Sequence, residues 1–322
     1  MSLLEVKELE VSFPHPFNDT WFPVLKEISF SVKEGEVLGI VGESGCGKSV
    51  TLRAILGMTK FFGGKVSKGE VQFEGEALLS KSEKEWRKIR GSQITMIPQD
   101  PMTSLDPLMK CGKQITEAIC LHLKLSKAEA KQKVLELFEE VGIPNPSLRF
   151  EQFPHELSGG LRQRVVIAMA LSTNPKLILA DEPTTALDVT IQKQILELLK
   201  KLQKERGMAM VFITHDLGVL CEIADRVAVF YAGCKVEEVP SKNLLLNCLH
   251  PYTKGLLGSI PRPYGGEEVK GIEGSVMRPL EFGTGCRFAP RCAFAEEKCF
   301  QHYPKWTAVS EEHQVGCFYV EN

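Results

Sequence analysis

No run of about 18 consecutive apolar residues, the length a bilayer-spanning helix needs, occurs in this 322-residue sequence. Dense apolar stretches such as Val165 to Leu171 are far shorter. A basic start followed by an apolar core and small residues is missing too. Met1-Ser2-Leu3-Leu4-Glu5-Val6-Lys7 mixes acid and base, which is not a secretory signal. Neither sign of charge is in excess: 39 Lys+Arg stand against 41 Asp+Glu, for a net charge of −2. A chain that coats nucleic acid by charge alone is thereby excluded. Apolar content is not low, at 43% hydrophobic and 25% charged, which excludes wholesale disorder and collagen-like structure. The expectation is a protein of the cytosolic side, about two domains long at roughly 100–200 residues each, with no nucleic-acid partner.

Cysteine, by contrast, is plentiful. Of ten, six are scattered and Cys286, Cys292, Cys299 and Cys317 gather near the C terminus. A secreted disulfide scaffold would be short and carry a signal peptide, so these thiols read as reduced. The cluster is spaced C-x5-C-x6-C-x17-C. That is neither the paired spacing of common zinc sites nor the tight run of bacterial ferredoxins. Spacing alone says that four soft thiolates could converge.

Leu4, Val6, Leu9, Val11 and Phe13 fall at mostly alternate positions, and Val24 to Val32 does something similar, so both read as strands separated by a turn-rich insert from Pro14 to Pro23. Val37 to Val41 is continuously apolar, as suits a strand covered on both faces. Residues near 100–170 read as mostly helical: Ser126 with Glu129 forms a capping box, Val134, Leu137, Phe138 and Val141 line one face, and Gly142 stops the helix. Buried strands follow at Lys176 to Ala180, Ala209 to Thr214 and Val227 to Tyr231. A helix from Thr190 to Arg206, with Ile191, Ile195, Leu198 and Leu202 on one side, separates the first two. Strand–helix–strand alternation predicts an α/β domain with a largely parallel sheet. Past about residue 240, Pro, Gly and Cys become frequent and periodicity fades. A small appendage is expected there, with Pro261 to Gly266 as a linker.

Gly42-Glu43-Ser44-Gly45-Cys46-Gly47-Lys48-Ser49 is G-x-x-x-x-G-K-S, and it follows the apolar run ending at Val41. Glycines let backbone N–H groups turn toward phosphates without a Cβ in the way, and the helix opening near Lys48 adds its positive dipole end. Lys48 suits the β- and γ-phosphates and the Ser49 hydroxyl suits Mg²⁺. Leu177 to Asp181 is an apolar run ending in a carboxylate, which places Asp181 at the carboxyl edge of the sheet. Asp181 there suits the Mg²⁺ shell, and Glu182 suits a general base for water attacking the γ-phosphate. Taken alone, Asp-Glu after an apolar run is also a common strand end. Leu157-Ser158-Gly159-Gly160-Leu161-Arg162-Gln163-Arg164 opens a second glycine-rich helix start with Ser158 as its N-cap. This second anion site in one chain points to a neighbour's nucleotide.

With these motifs in this order, the sequence resembles the ATPase subunit of an ABC transporter over essentially all of its length. The resemblance implies an α/β P-loop NTPase with a RecA-like parallel sheet core, an antiparallel β subdomain, a helical subdomain at about 100–170 and a small Cys-rich C-terminal extension. It divides the chain into an ATPase domain, 1–240, and an extension, 241–322. Two such subunits sandwich two ATP molecules in that family. Gly42 to Ser49 with Val50 would hold ATP, Phe13 would stack on adenine, and Phe17, Trp21 and Phe22 are rivals for that stacking. Gln99 resembles the glutamine that touches the Mg²⁺ site, joining Ser49 and Asp181. His215 resembles the switch histidine that contacts the γ-phosphate, so Glu182, His215 and Gln99 form the expected catalytic set. Ser158, Gly159, Gly160 and Asp188 would act in trans on the partner's ATP.

His250-Pro251-Tyr252-Thr253-Lys254-Gly255-Leu256-Leu257 and Gly285-Cys286-Arg287-Phe288-Ala289-Pro290-Arg291-Cys292 resemble the C-terminal extension of oligopeptide and dipeptide importer ATPases. That branch also includes carriers of nickel and other small solutes. It implies a peripheral protein on the cytoplasmic face of the membrane, with two permease subunits, an identical or paralogous second ATPase and an external solute-binding protein as partners. It also implies a [4Fe–4S] cluster on Cys286, Cys292, Cys299 and Cys317, with zinc or no metal as the alternatives. Two other readings are a soluble ABC ATPase of repair or translation and a nucleotide-gated iron–sulfur binding module. In repair members a long coiled coil splits the ATPase, whereas Lys48 and Ser158 are only about 110 residues apart here.

Overall fold

The computed structural model describes residues 2–185, 187–259 and 271–320. The expected linker, Pro261 to Gly266, lies outside the described residues. The strands in chain order are β1 (Ser2–Pro14), β2 (Trp21–Lys33), β3 (Val37–Val41), β4 (Lys65–Phe73), β5 (Glu76–Ala77), β6 (Ile94–Ile97), β7 (Leu177–Asp181), β8 (Ala209–Ile213), β9 (Arg226–Tyr231), β10 (Cys234–Pro240), β11 (Thr307–Ser310) and β12 (His313–Val315). The helices are α1 (Lys48–Ile55), α2 (Glu83–Ile89), α3 (Pro101–Ser104), α4 (Cys111–Leu123), α5 (Lys127–Glu140), α6 (Pro146–Phe150), α7 (Gly159–Leu171), α8 (Val189–Arg206), α9 (Leu217–Ile223), α10 (Ser241–Asn247), α11 (Pro251–Gly258) and α12 (Glu297–Gln301). Among the described residues no helix is long and apolar enough to cross a membrane.

The chain divides into two compact units, one made of Lys33–Glu36 and Ser80–Ile213, the other of Ser2–Val32, Val37–Leu79 and Thr214–Asn322. In the first, β6, β7 and β8 run parallel, with Ile97 opposite Ala180 and Asp181 opposite Ile213. Every residue of β7 and β8 is buried, which is why both read as unbroken apolar runs rather than alternating ones. The capping box of α5 forms as expected: Glu129 N–H donates to Ser126 Oγ at 3.3 Å, and Ser126 N–H donates to Glu129 Oε2 at 2.9 Å. Gly142, at φ +73°, ends that helix in a conformation costly to residues with a Cβ.

The buried face of α8 is rotated from the expected one. Ile195, Leu196, Leu199, Leu202 and Gln203 are buried, while Ile191 and Leu198 are only partly covered. At 3.6 residues per turn, Ile195, Leu199 and Leu202 stack on one side, and Leu196 with Gln203 widens that stripe.

The second unit carries two sheet systems. One has strand order β2-β1-β4-β5, with β1 and β4 antiparallel. The alternation along β1 skips a beat between Val6 and Leu9 because the register shifts there around Glu8, which sits at φ +45°. Gly69 answers it from β4: a Cβ on Gly69 would lie 2.4 Å from the Glu8 carbonyl oxygen. Trp21, Phe22 and Pro23 of the expected insert belong to β2, which leaves 15–20 as the hairpin loop, closed by a bond from His15 N–H to the Thr20 carbonyl at 2.8 Å. The other system pairs β3 with β9 in parallel and extends from β9 through antiparallel β10 to β12 and β11. The last two strands come from the Cys-rich region. Buried Glu237 of β10 fixes them in place: His313 Nε2 lies 2.9 Å from its carboxylate, and Leu249 N–H donates to it at 2.7 Å.

Candidate nucleotide site

In the second unit, β3 delivers the chain into Gly42–Ser49 and α1 leaves from it. Gly42 is obligatory because a Cβ there would lie 2.1 Å from the Phe230 carbonyl oxygen of β9. Gly45 and Gly47 adopt φ +79° and +100°, in the region that favours glycine. Thr51 Oγ1 donates to the Gly47 carbonyl at 3.0 Å, tying the first turn of α1 to the loop. Lys48 is buried, and its ammonium donates to the Gly42 carbonyl at 2.7 Å and the Glu43 carbonyl at 3.2 Å. The loop thus presents a cation and the positive end of α1 together, the two requirements for a polyphosphate. Burial pushes the Cys46 thiol up, opposed by the Lys48 charge.

Phe13 is half-buried at the end of β1 against Gly64, where an added Cβ would come 2.9 Å from its ring. Of its rivals, Phe17 and Trp21 are both exposed, and the Lys65 ammonium lies 4.0 Å from the Trp21 ring centroid. His215 is exposed in the turn before α9, where Asp216 caps the helix by accepting from Gly218 N–H at 2.8 Å.

In the first unit, Gln99 lies beyond β6 and Glu182 follows β7. Their side chains meet, with Gln99 Nε2 donating to Glu182 Oε2 at 3.3 Å. Thr185 Oγ1 donates to the same oxygen at 2.9 Å, and Glu182 N–H donates to the Ile213 carbonyl at 3.0 Å. Glu182 has φ +47°, rare for a residue with a Cβ and typical of functional turns. Asp181, immediately before it, is buried at the end of its strand. The Ser49 hydroxyl, the Asp181 carboxylate and the Gln99 amide oxygen are hard oxygen donors of the kind Mg²⁺ prefers.

Ser158 caps α7, accepting from Leu161 N–H at 3.4 Å, and is exposed with Gly159. Gly160 packs on α8, since an added Cβ would lie 2.9 Å from Ile191 Cγ2. Asp188 caps α8, accepting from Ile191 N–H at 3.0 Å. Gln163 Nε2 donates to the Pro183 carbonyl at 2.6 Å, so the helix opened by Ser158 is tied to the segment that carries Glu182.

Burial raises the thiols of Cys286, Cys292 and Cys317. Burial, then the Cys317 and Cys299 charges, push the Cys286 thiol up to about 12, against hydrogen bonds from the Phe288 and Ala289 backbone. Burial and then Cys299 raise Cys292. As a donor set they suit a soft metal, although among the described residues no group of three or more His, Cys, Asp or Glu is placed to hold a metal ion.

Two residues that motif reading left without a role bear directly on the loop. Tyr252 Oη accepts from Glu43 N–H at 3.0 Å, and Arg291 reaches the Glu43 carboxylate. Both stand inside the quoted C-terminal motifs, but they are 209 and 248 residues from Glu43, beyond any local pattern.

The ABC transporter family profile matches residues 25–185, and that of the oligopeptide/dipeptide transporter C-terminal region matches 236–299. The chain is 51% identical over 315 residues to the oligopeptide transport ATP-binding protein OppD of Bacillus subtilis, covering 97% of this chain and 87% of the relative. It is 47% identical over 317 residues to the dipeptide transport ATP-binding protein DppD of the same organism, covering 98% and 94%. A dimeric ATP-binding cassette solved in a post-hydrolysis state with ADP and Pi superposes with a TM-score of 0.65 at 30% identity, over 74% of this chain and 98% of that one. The P-loop α/β architecture is therefore that of ABC ATPases, and the chain belongs to the ATP-binding proteins of the ABC transporter family, in the branch that carries the oligopeptide/dipeptide transporter C-terminal region.

Proposed function

We propose that this protein hydrolyses ATP to energise the import of oligopeptides or dipeptides. The observation that carries the chemistry is the Glu182 carboxylate, held by Gln99 and Thr185 on a left-handed turn directly after buried Asp181. A carboxylate fixed in this way can take a proton from an attacking water. Lys48 and the loop N–H groups bind the phosphates, Ser49, Asp181 and Gln99 hold Mg²⁺, and His215 orients the γ-phosphate. Mg²⁺ supplies neutralisation of phosphate charge. Phe13 covers the adenine face, supported by its position at the strand end beside Gly64.

Two copies, or this chain and a paralogue, clasp ATP between one subunit's Gly42–Val50 loop and the other's Ser158, Gly159, Gly160 and Asp188. The exposed cap of α7 supports this, being a helix N-terminus with bare glycine backbone. Two permease subunits receive the motion at the cytoplasmic face of the membrane, and an external solute-binding protein supplies the peptide. The division into 1–240 and 241–322 is supported by the span of the C-terminal family profile. Cys286, Cys292, Cys299 and Cys317 would hold a [4Fe–4S] cluster, a reading supported by their soft thiolate donor set, and the cluster would staple an appendage with few buried apolar side chains of its own.

The test is uptake. A strain lacking this gene should lose import of labelled di- or oligopeptides and regain it with the wild-type chain but not with Lys48→Ala. Normal peptide uptake beside lost nickel uptake would overturn the peptide reading.

A further inference from the structure

The stretch between the first two clustered cysteines grips the nucleotide loop from outside. Arg291 Nη1 donates to Glu43 Oε2 at 2.7 Å and Nη2 donates to Oε1 at 3.2 Å, a two-pronged pair in which the arginine side chain is 6% exposed. The same guanidinium donates to the Glu273 carbonyl at 2.9 Å, the Ile272 carbonyl at 3.1 Å and the Tyr231 hydroxyl at 3.4 Å. Tyr252 Oη takes the Glu43 N–H, while the Glu43 carbonyl accepts from Lys48. Every polar group of Glu43 is thus engaged, two by residues past 240 and one by the phosphate-binding lysine itself. Tyr252 is held by its ring neighbours, with centroids 4.6 Å from Tyr231 and 5.4 Å from Phe288. A second grip starts at Arg287, which donates to the Ala232 carbonyl. The adjacent Gly233 N–H donates to the Cys46 carbonyl at 2.9 Å.

We propose that Arg291 and Tyr252 are positioning residues for ATP: through Glu43 they brace the phosphate-binding loop in its binding-ready shape, making the C-terminal appendage a determinant of nucleotide affinity. This deepens the ATPase reading and rests on it. A flexible glycine loop loses conformational entropy when it closes on phosphate, and a brace that removes that freedom beforehand tightens binding without touching the reacting atoms. Two-pronged arginine–carboxylate pairs are directional, so lysine is not an equivalent brace.

The experiment measures ATP dissociation constants for the full-length chain by calorimetry, and KM and kcat for the assembled transporter. Arg291→Gln should raise both Kd and KM about tenfold, the loss expected for one charged hydrogen-bonded pair, with a far smaller change in kcat. Tyr252→Phe keeps the ring packing and should weaken binding severalfold. Arg291→Glu should bind worse still, and adding Glu43→Arg should recover most of the loss, which a purely structural role would not give. If Arg291→Gln does not fold, Tyr252→Phe and the reversed pair decide. Unchanged Kd in Tyr252→Phe together with no recovery in the reversed pair overturns the proposal. A chain that shows these affinity shifts in a complex that moves no peptide would instead overturn the transport reading alone.

Discussion

Gln99 Nε2 donates to Glu182 Oε2 across 3.3 Å, joining two side chains 83 residues apart in sequence. The contact gives the carboxylate an orientation before any nucleotide arrives, and Thr185 Oγ1 donates to the same oxygen at 2.9 Å. Glu182→Gln preserves the shape and removes the base. ATP binding should survive while turnover of the assembled transporter falls by about 10²–10⁴-fold, the usual contribution of a positioned general base. Single-turnover hydrolysis checks it, and wild-type turnover in this variant would remove Glu182 from the proton transfer.

The loop glycines separate space from conformation. At Gly42 a Cβ meets the Phe230 carbonyl at 2.1 Å and Cys46 Sγ at 2.6 Å, and a backbone oxygen in a central strand cannot yield cheaply. At Gly45 a Cβ meets nothing within 4 Å, but φ is +79°. Gly42→Ala should therefore destabilise the protein by about 3 kcal/mol or more through overpacking. Gly45→Ala should cost only about 1–2 kcal/mol, from the left-handed backbone. Urea unfolding of the two variants measures the difference, and equal losses would show that space at Gly42 is not the constraint.

What the sequence made legible was local. The loop at Gly42–Ser49, the capping box of Ser126 and Glu129 and the buried strand before Asp181 are each specified by residues within a few positions of one another, and all form as expected. The β1 bulge was visible only as a missed beat between Val6 and Leu9, because its cause, Gly69, lies on another strand. The burial of Leu199 rather than Leu198 on α8 depends on which side of that helix is packed, which periodicity alone places only to within a residue. Tyr252 and Arg291 stayed silent for the same reason at longer range, since a hydrogen bond spanning 209 or 248 residues leaves no spacing to read.

The cysteine cluster makes its own prediction. Protein purified without oxygen should be brown and contain about four irons, with Cys286→Ser and Cys317→Ser each losing colour and iron. Because the proposed cluster would join short elements near α12 and β12, the same variants should melt at lower temperature in the C-terminal region. Iron analysis together with visible absorption checks both, and colourless protein with stoichiometric zinc would end the iron–sulfur reading.

His250 links acidity to stability. It caps α11 by accepting from Tyr252 N–H on Nδ1 at 3.0 Å, it is fully buried against Phe288, and its Nε2 finds no hydrogen-bond partner among the described residues. Burial lowers its pKa to about 3, so the folded protein keeps the ring neutral. The unfolded chain takes up a proton near the ordinary value of about 6.5. Stability is therefore complete above that pH and declines as pH falls below it, the loss continuing until the folded-state value is reached. Between pH 7 and pH 5 this single group should remove about 2 kcal/mol. His250→Asn keeps a capping acceptor without a titrating ring, so its unfolding free energy should fall less steeply over that window. Urea titrations at both pH values give the slope for each protein. Equal slopes would show that His250 is not the group whose protonation destabilises the fold, whereas a shallower slope in the variant would place the acid sensitivity on the helix whose Tyr252 holds the nucleotide loop.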